Sequence, residues 1–309
     1  MKRLPDQAII AVLQGGPGSE REISLASAAS VEEALREKGY QVVGVDVQGD
    51  DFALPPEVTL AFNVIHGTFG EDGQLQRLLE ARGLPYTGAG AASSERAFDK
   101  IDSKEVFEKA GVPTPRWETL EIALSQPPNL PVPCVIKPPR EGSSVGVHIV
   151  KDERQIPAAL ADVGRFSEVA LVEEFVPGKE LTVGIVGQEV LPIVHIQPQD
   201  GFYDMKNKYP WLQKSGGGSD YIVPADLPAE LTQAVQAAAK QAHDALGVEV
   251  YSRVDVLLPE EGGPSVLEVN TIPGMTSTSL LPKAAGVVGY SFGDLCQRIA
   301  ELSFTRFFA

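Results

Sequence analysis

Ala8-Ile-Ile-Ala-Val-Leu13-Gln-Gly15-Gly16-Pro17-Gly18-Ser-Glu20-Arg21-Glu22 is an apolar run that ends in a glycine-rich turn and opens onto a helical pattern. A short continuous apolar run bounded by Gly and Pro reads as a buried strand. Behind it, Ile23, Val31, Ala34 and Leu35 form the stripe of an amphipathic helix that Gly39 stops. Val42 to Val47 reads as a second strand, Thr59 to Ile65 as a third, and Gln74 to Ala81 as a helix closed by Gly83. Strands alternating with helices imply a parallel sheet covered by helices, so the fold class is α/β and this first unit spans residues 1–95.

Farther along, the spacing predicts a helix over Phe98 to Ala110, a Pro-rich connector, a strand at Cys134 to Ile136, a helix near Glu153 to Val163 and a strand at Val169 to Glu173. These make a second, smaller α/β unit, 96–178. The remainder, 179–309, begins with strands at Leu181 to Val186 and Val190 to Ile196. A polar loop from Gln197 to Tyr221 follows, and a loop that long is usually functional or mobile. The helix after it is opened by Pro228, striped by Leu231, Val235, Ala238, Ala242 and Ala245, and ended by Gly247.

The 309 residues suffice for two or three domains with a sizeable core, and 43% hydrophobic with 22% charged residues is ordinary globular composition. Against 26 basic residues stand 42 acidic ones, a net charge of −16 that repels nucleic acid and anionic lipid. Any bound phosphate therefore belongs to a small ligand held by a few local cations and backbone amides. No apolar run reaches membrane-spanning length and no signal-type segment follows Met1, which gives the expectation of a cytoplasmic protein with neither membrane nor nucleic-acid partner. Cys134 and Cys296 stand apart from any Cys or His cluster and read as buried reduced thiols.

Four constellations carry chemistry. Tyr251-Ser-Arg-Val-Asp-Val-Leu-Leu258 and Ser265-Val-Leu-Glu-Val-Asn270 both alternate and read as a hairpin. Val254, Val256, Leu258, Leu267 and Val269 fall on one face; Arg253, Asp255, Glu268 and Asn270 fall on the other. With a centred loop Asp255 lies opposite Glu268 and Arg253 opposite Asn270. Paired carboxylates repel across strands, and a cation is the natural remedy. All-oxygen donors favour Mg²⁺ or Mn²⁺ over zinc; the competing reading is a solvated polar face. In Lys137-Pro-Pro-Arg-Glu-Gly-Ser-Ser-Val-Gly146, small residues let backbone amides close on phosphate oxygens beside the Lys137 charge, although a flexible hairpin turn reads equally well. The turn at Gly15 to Glu22 has Arg21 where the third glycine of a dinucleotide fingerprint would stand, and Glu22 reads as a complement to the helix dipole. In His66-Gly-Thr-Phe-Gly-Glu-Asp-Gly73, His66 follows a strand at its carboxyl end, where open α/β sheets place ligands, whereas His148, His195 and His243 read as ordinary strand or helix residues.

Together these pieces resemble the D-alanine–D-alanine ligases of the ATP-grasp superfamily. The resemblance rests on GGPGSEREISL (15–25), HGTFGEDG (66–73), LPYTGAG (84–90), FDKIDSK (98–104), VIKPPREGSSVGV (135–147), FYDMKNKY (202–209), RVDVLL (253–258) and EVNTIPGMTSTSLLP (268–282), in the family's order over nearly the whole chain. It implies a three-domain ATP-grasp architecture whose first domain is a Rossmann-like parallel-sheet unit, with ATP clamped between the second and third. It also implies ATP-driven joining of two D-alanines through an acyl phosphate for peptidoglycan precursors and cell-wall biogenesis.

By the same resemblance Asp255, Glu268 and Asn270 hold two Mg²⁺ or Mn²⁺ ions. Lys100, Lys137 and the Ser143, Ser144 to Gly146 backbone grip phosphates. Glu173 and Glu180 contact the adenine amino group and ribose, with Phe175 and Val176 beside the base. Glu20 takes the first D-alanine's ammonium, Ser143 links Glu20 to a mobile loop, and His66 lies beside the carboxylate. Arg253 and the Gly274 amide stabilise the oxyanion; Ser279, the Leu280 amide and Lys208 take the second carboxylate. Tyr209 points to D-alanine as second substrate, where D-lactate-adding relatives tend to carry His. A homodimer is implied by the resemblance alone. Addition of D-lactate or D-serine instead of D-alanine, and a nucleotide-binding regulator without turnover, are the competing readings.

Overall fold

The structure, a computed structural model, describes residues 3–124, 126–199, 201, 203, 205–208 and 218–309. The opening stretch folds as β1 (Ile9–Gly15), α1 (Arg21–Glu37), β2 (Gln41–Val47), β3 (Leu60–Asn63) and α2 (Gln74–Ala81). β1 is the middle strand, parallel to β2 and β3, with Ile10 beside Val42 and Leu60. Side chains alternate across it: Ile10 and Val12 pack with Ala28, Val31 and Leu35 of α1, while Ala11 and Leu13 meet Leu75 and Leu79 of α2. The apolar run is continuous because both faces of the strand are covered.

The helix expected over Phe98 to Ala110 is α4 (Lys100–Ala110), and an unforeseen helix, α3 (Ala91–Phe98), precedes it. Asp99 separates them: its extended backbone leaves the helical region and its carboxylate accepts from the Ile101 and Asp102 amides. β4 (Trp117–Glu121), β5 (Cys134–Lys137), β6 (His148–Val150), α5 (Ile156–Val163) and β7 (Val169–Glu174) follow, and their antiparallel sheet has the order β4-β7-β5-β6. β4 lies inside the stretch read as a connector.

The third sheet contains β8 (Lys179–Val186), β9 (Glu189–Val190), β10 (Val194–Pro198), β11 (Ser219–Ile222), β12 (Tyr251–Leu258) and β13 (Ser265–Asn270), ordered β11-β10-β8-β12-β13 with β9 on β8. The strand expected over Val190 to Ile196 is thus two strands, and the polar loop contains, among its described residues, the end of β10, the single turn α6 (Met205–Lys208) and β11. α7 (Ala229–Ala245) lays Val235, Ala238 and Ala242 on this sheet. α8 (Leu280–Val287) and α9 (Phe292–Phe307) complete the chain order. α9 returns to the first unit: Leu295, Cys296, Ile299 and Phe304 share a core with α1, and Arg306 stacks 4.7 Å over the Tyr86 ring. Both cysteines are buried free thiols.

The register of β12 and β13 is the expected one at the decisive pairs, Arg253 with Asn270 and Asp255 with Glu268. Beyond Asp255 a bulge shifts it, so Val256 pairs with Val266. One residue of slip exchanges the faces. Val266 therefore enters the core and Leu267, expected there, faces a cleft beside Leu257.

Candidate active site

Two cavities open between the sheets and meet. The smaller, about 420 Å³, lies between the first unit and the start of α8 and is lined by Glu20, His66, Arg253, Gly274, Ser279 and Leu280 among others. The larger, about 970 Å³, lies between the second and third sheets, with Phe175, Val176 and Leu267 on its apolar wall and Lys100, Lys137, Ser144, Glu173, Glu180 and Asp255 among its polar groups. Ser143, Tyr203, Lys208 and Glu268 border both. Every side chain that the resemblance gives a role lines one cavity or the other among the described residues, Asn270 included, whereas Gly146 of the phosphate loop lines neither. Tyr209 falls outside the described residues.

Local folding explains the placement. Glu20 precedes α1 and its carboxylate does not cap the helix; it accepts instead from the Ser143 hydroxyl, a residue distant in sequence. Ser143 and Ser144 have φ of 48° and 62°, so the loop from β5 to β6 folds back on itself and brings both hydroxyls toward the cavities. Ser144 Oγ donates to the Tyr203 carbonyl at 3.1 Å and receives Lys208 Nζ at 3.3 Å. Glu22 sits in the first turn of α1, as expected of a dipole complement. Arg21 forks onto Asp46 at 2.8 and 2.7 Å.

His66 is buried, with Nδ1 3.0 Å from the Ile272 carbonyl and Nε2 3.3 Å from Ser27 Oγ. A carbonyl only accepts, so Nδ1 carries the proton. Burial alone would lower its pKa, but Glu71, whose carboxylate is 3.5 Å away, together with Glu20 and Ile272, holds it above the usual value. Glu71 was not singled out from the sequence, although its place in the same motif as His66 was a usable signal. It lines the small cavity with Lys283, another residue missed, which projects from the first turn of α8.

On the hairpin, Arg253 grips Asp255 through Nε at 2.9 Å and Nη2 at 2.8 Å, while Thr182 Oγ1 donates to the same carboxylate at 2.6 Å and Asn270 Nδ2 at 3.3 Å. Burial pushes Glu268 up, yet Lys100, Lys208, Lys137 and Arg253 together bring it down to about 2; the nearest measured pair is Lys100 Nζ at 3.4 Å. The carboxylate is ionised throughout the neutral range. Among the described residues no three His, Cys, Asp or Glu side chains gather into a metal cage. The donors present, two carboxylates and an amide, fit a hard divalent cation that takes its other ligands from phosphate oxygens.

In the larger cleft Lys100 Nζ donates to the Glu141 carbonyl at 2.8 Å. Burial pushes Glu180 up to about 7, with Asp255 and Glu268 adding to it against Lys208. Glu173 is buried between Lys137 and Lys104, and Lys104 was missed because a lysine in the middle of α4 reads as a solvated one. His148 and His195 are strand residues as expected, but both line this cleft.

The sequence profile of the D-ala D-ala ligase C-terminus family matches residues 106–301, and that of the D-ala D-ala ligase N-terminus family matches 48–89. A D-alanine–D-alanine ligase of Methylacidiphilum infernorum is 48% identical over 297 residues, 96% of each chain, and one of Citrifermentans bemidjiense is 44% identical over 94% of this chain and 95% of its own. Among solved structures, D-alanine–D-alanine ligase from Bacillus anthracis superposes with a TM-score of 0.84 at 32% identity, covering 97% of this chain and 98% of that one; its complex with ATP gives 0.81. The VanG D-Ala:D-Ser ligase from Enterococcus faecalis gives 0.84 at 28% identity, over 96% and 99%.

Proposed function

Because the chain belongs to the D-alanine–D-alanine ligase family, we propose that it joins two D-alanines at the expense of ATP, through an acyl phosphate, to supply peptidoglycan precursors. The observation that carries this reading is the meeting of the two cavities: a polar one of amino-acid scale touches an elongated one of nucleotide scale at Ser143, Lys208 and Glu268.

Each step has residues suited to it. Glu20 and Glu71 offer carboxylates to the first D-alanine's ammonium, and His66 lies close to its carboxylate. That carboxylate attacks the γ-phosphorus and ADP departs. Two anions must approach, so the barrier is electrostatic and calls for fixed positive charge. Lys100, Lys137 and Lys208 supply it from the cleft. The second D-alanine binds its carboxylate at Ser279, the Leu280 amide and Lys208, where the N-terminus of α8 favours an anion. Its neutral amine attacks the acyl carbon; Arg253 and the Gly274 amide receive the charge on the carbonyl oxygen, and as the C–O bond breaks phosphate leaves with the electron pair and takes up the proton shed by the nitrogen. Asp255, Glu268 and Asn270 would hold Mg²⁺ or Mn²⁺, whose chemistry there is neutralisation of phosphate charge.

We assign three units, 1–95, 96–178 and 179–309, each containing one sheet; α9 packs on the first unit, and Phe107 of α4 shares a core with the third sheet. Among the described residues no helix is long and apolar enough to cross a membrane, and a cytoplasmic homodimer is the assembly the family resemblance favours. The test is phosphate release from ATP, Mg²⁺ and D-alanine, with D-serine and D-lactate offered as competing second substrates. D-alanine-dependent release with D-alanyl-D-alanine as product supports the reading. Absence of release above the ATP-only background would overturn it.

A further inference from the structure

Resting on the ligase reading, one feature of the nucleotide cleft goes further. Glu173, 2% exposed, lies between two ammonium groups. Its Oε1 is 2.5 Å from Lys104 Nζ, and its Oε2 is ion-paired with Lys137 Nζ. One buried carboxylate thus faces two ammonium groups, and either lysine alone suffices to neutralise it. Their surroundings differ. Lys104 is fully buried on α4, absent from the cleft wall, and pinned by Thr114 Oγ1 at 2.5 Å, which in turn donates to the Val266 carbonyl of β13 at 2.7 Å. Lys137 ends β5, is partly open to the cleft and lies on its wall.

We propose that Lys104 is a positioning residue that retains Glu173 as an ion pair when Lys137 transfers to the nucleotide phosphates. Without it, the departure of Lys137 would leave a bare carboxylate in the core, and Lys137 would stay where it is. The transfer has a second effect: it vacates Oε2, the oxygen on the cleft side, as an acceptor for an amino group on the base. Phosphate and base recognition are thereby coupled through one carboxylate. Burial and the neighbouring Lys137 bring Lys104 down to about 8, against the pull of Glu173, so it is still cationic at neutral pH and able to serve as the permanent partner.

The test is equilibrium binding of ATP and of adenosine, which lacks phosphates, to the whole protein. Lys104→Met is expected to weaken ATP about tenfold while adenosine changes less than twofold, because Lys137 remains trapped. Lys104→Arg, which keeps a cation, is expected to stay near wild type for both ligands. Thr114→Val removes only the pinning hydroxyl and keeps all three charges; it is expected to weaken ATP by roughly threefold with adenosine unchanged, and it decides the question if Lys104→Met does not fold. Equal weakening of both ligands, or unaltered ATP binding, overturns the proposal. Wild-type phosphate release with D-alanine is measured alongside: its absence would defeat the ligase reading, whereas the ATP–adenosine contrast speaks to Lys104 alone.

Discussion

Gly67→Ala perturbs the proposed first amino-acid subsite around Glu20 without touching its charges. Gly67 has φ +68°, and a Cβ built on it would lie 2.6 Å from Glu20 Oε2. Two penalties follow. The left-handed backbone costs an L-residue about 1–2 kcal/mol, and restoring an ordinary 3.4 Å contact requires the carboxylate oxygen to retreat by about 0.8 Å. Retreat is hindered because Gly142 packs against the same oxygen, with its own Cβ position at 2.8 Å. A displacement approaching 1 Å in a group that orients a reacting substrate costs on the order of 100-fold. The expected outcome is a kcat/KM for D-alanine lowered roughly 100-fold, with the KM for ATP within about twofold of wild type. The backbone term alone should lower Tm by roughly 1.5–3 °C. The assay is coupled ADP release over a D-alanine series, beside thermal unfolding of the same preparations. A variant that shows the Tm loss but keeps its D-alanine kcat/KM within threefold would refute the placement of Glu20 at that substrate.

Glu268→Gln keeps the shape of the hairpin and removes the charge that four cations surround; turnover should fall about 1000-fold with the fold intact by circular dichroism, and loss of less than tenfold would remove the cation assignment. Glu180, raised to about 7, is a better acceptor for a ribose hydroxyl when ionised, so the KM for ATP should climb as pH falls from about 8 to about 6; Glu180→Gln should flatten that profile. His243 bonds Ser252 Oγ at 2.8 Å through Nδ1. Burial brings it down to about 4, with Asp244 opposing and Lys240 adding. Its folded value lies below the unfolded 6.5, so it costs nothing above pH 6.5 and destabilises as the pH falls below that, reaching about 3 kcal/mol near pH 4. Urea midpoints across that window should show the slope, and His243→Gln should lose it.

The sequence was most legible where periodicity and burial agree. β1 and α1 were readable because a strand covered on both faces must be apolar throughout, and the hairpin pairs Asp255–Glu268 and Arg253–Asn270 because alternation fixes which residues share a face. The bulge after Asp255 leaves no mark in an alternating pattern, so Leu267 was assigned to the wrong side. α3 buries Ala91, Ser93, Ser94 and Ala97, residues too small to show an apolar stripe. Lys104 escaped because burial of a charge depends on partners far off in sequence: Glu173 is brought to it by β7, just as the carbonyl of Ile272 is brought to His66 by the segment after β13.

α9 carries a consequence for biosynthesis. The apolar layer of α1 is completed by Leu295, Cys296, Ile299 and Phe304 of α9, far later in the chain. A nascent chain therefore holds an uncovered greasy flank on α1 while all the residues between the two helices are being made. Chaperone demand should be set by the time needed to reach those codons, and a premature stop after β13 would still leave the α1 layer open.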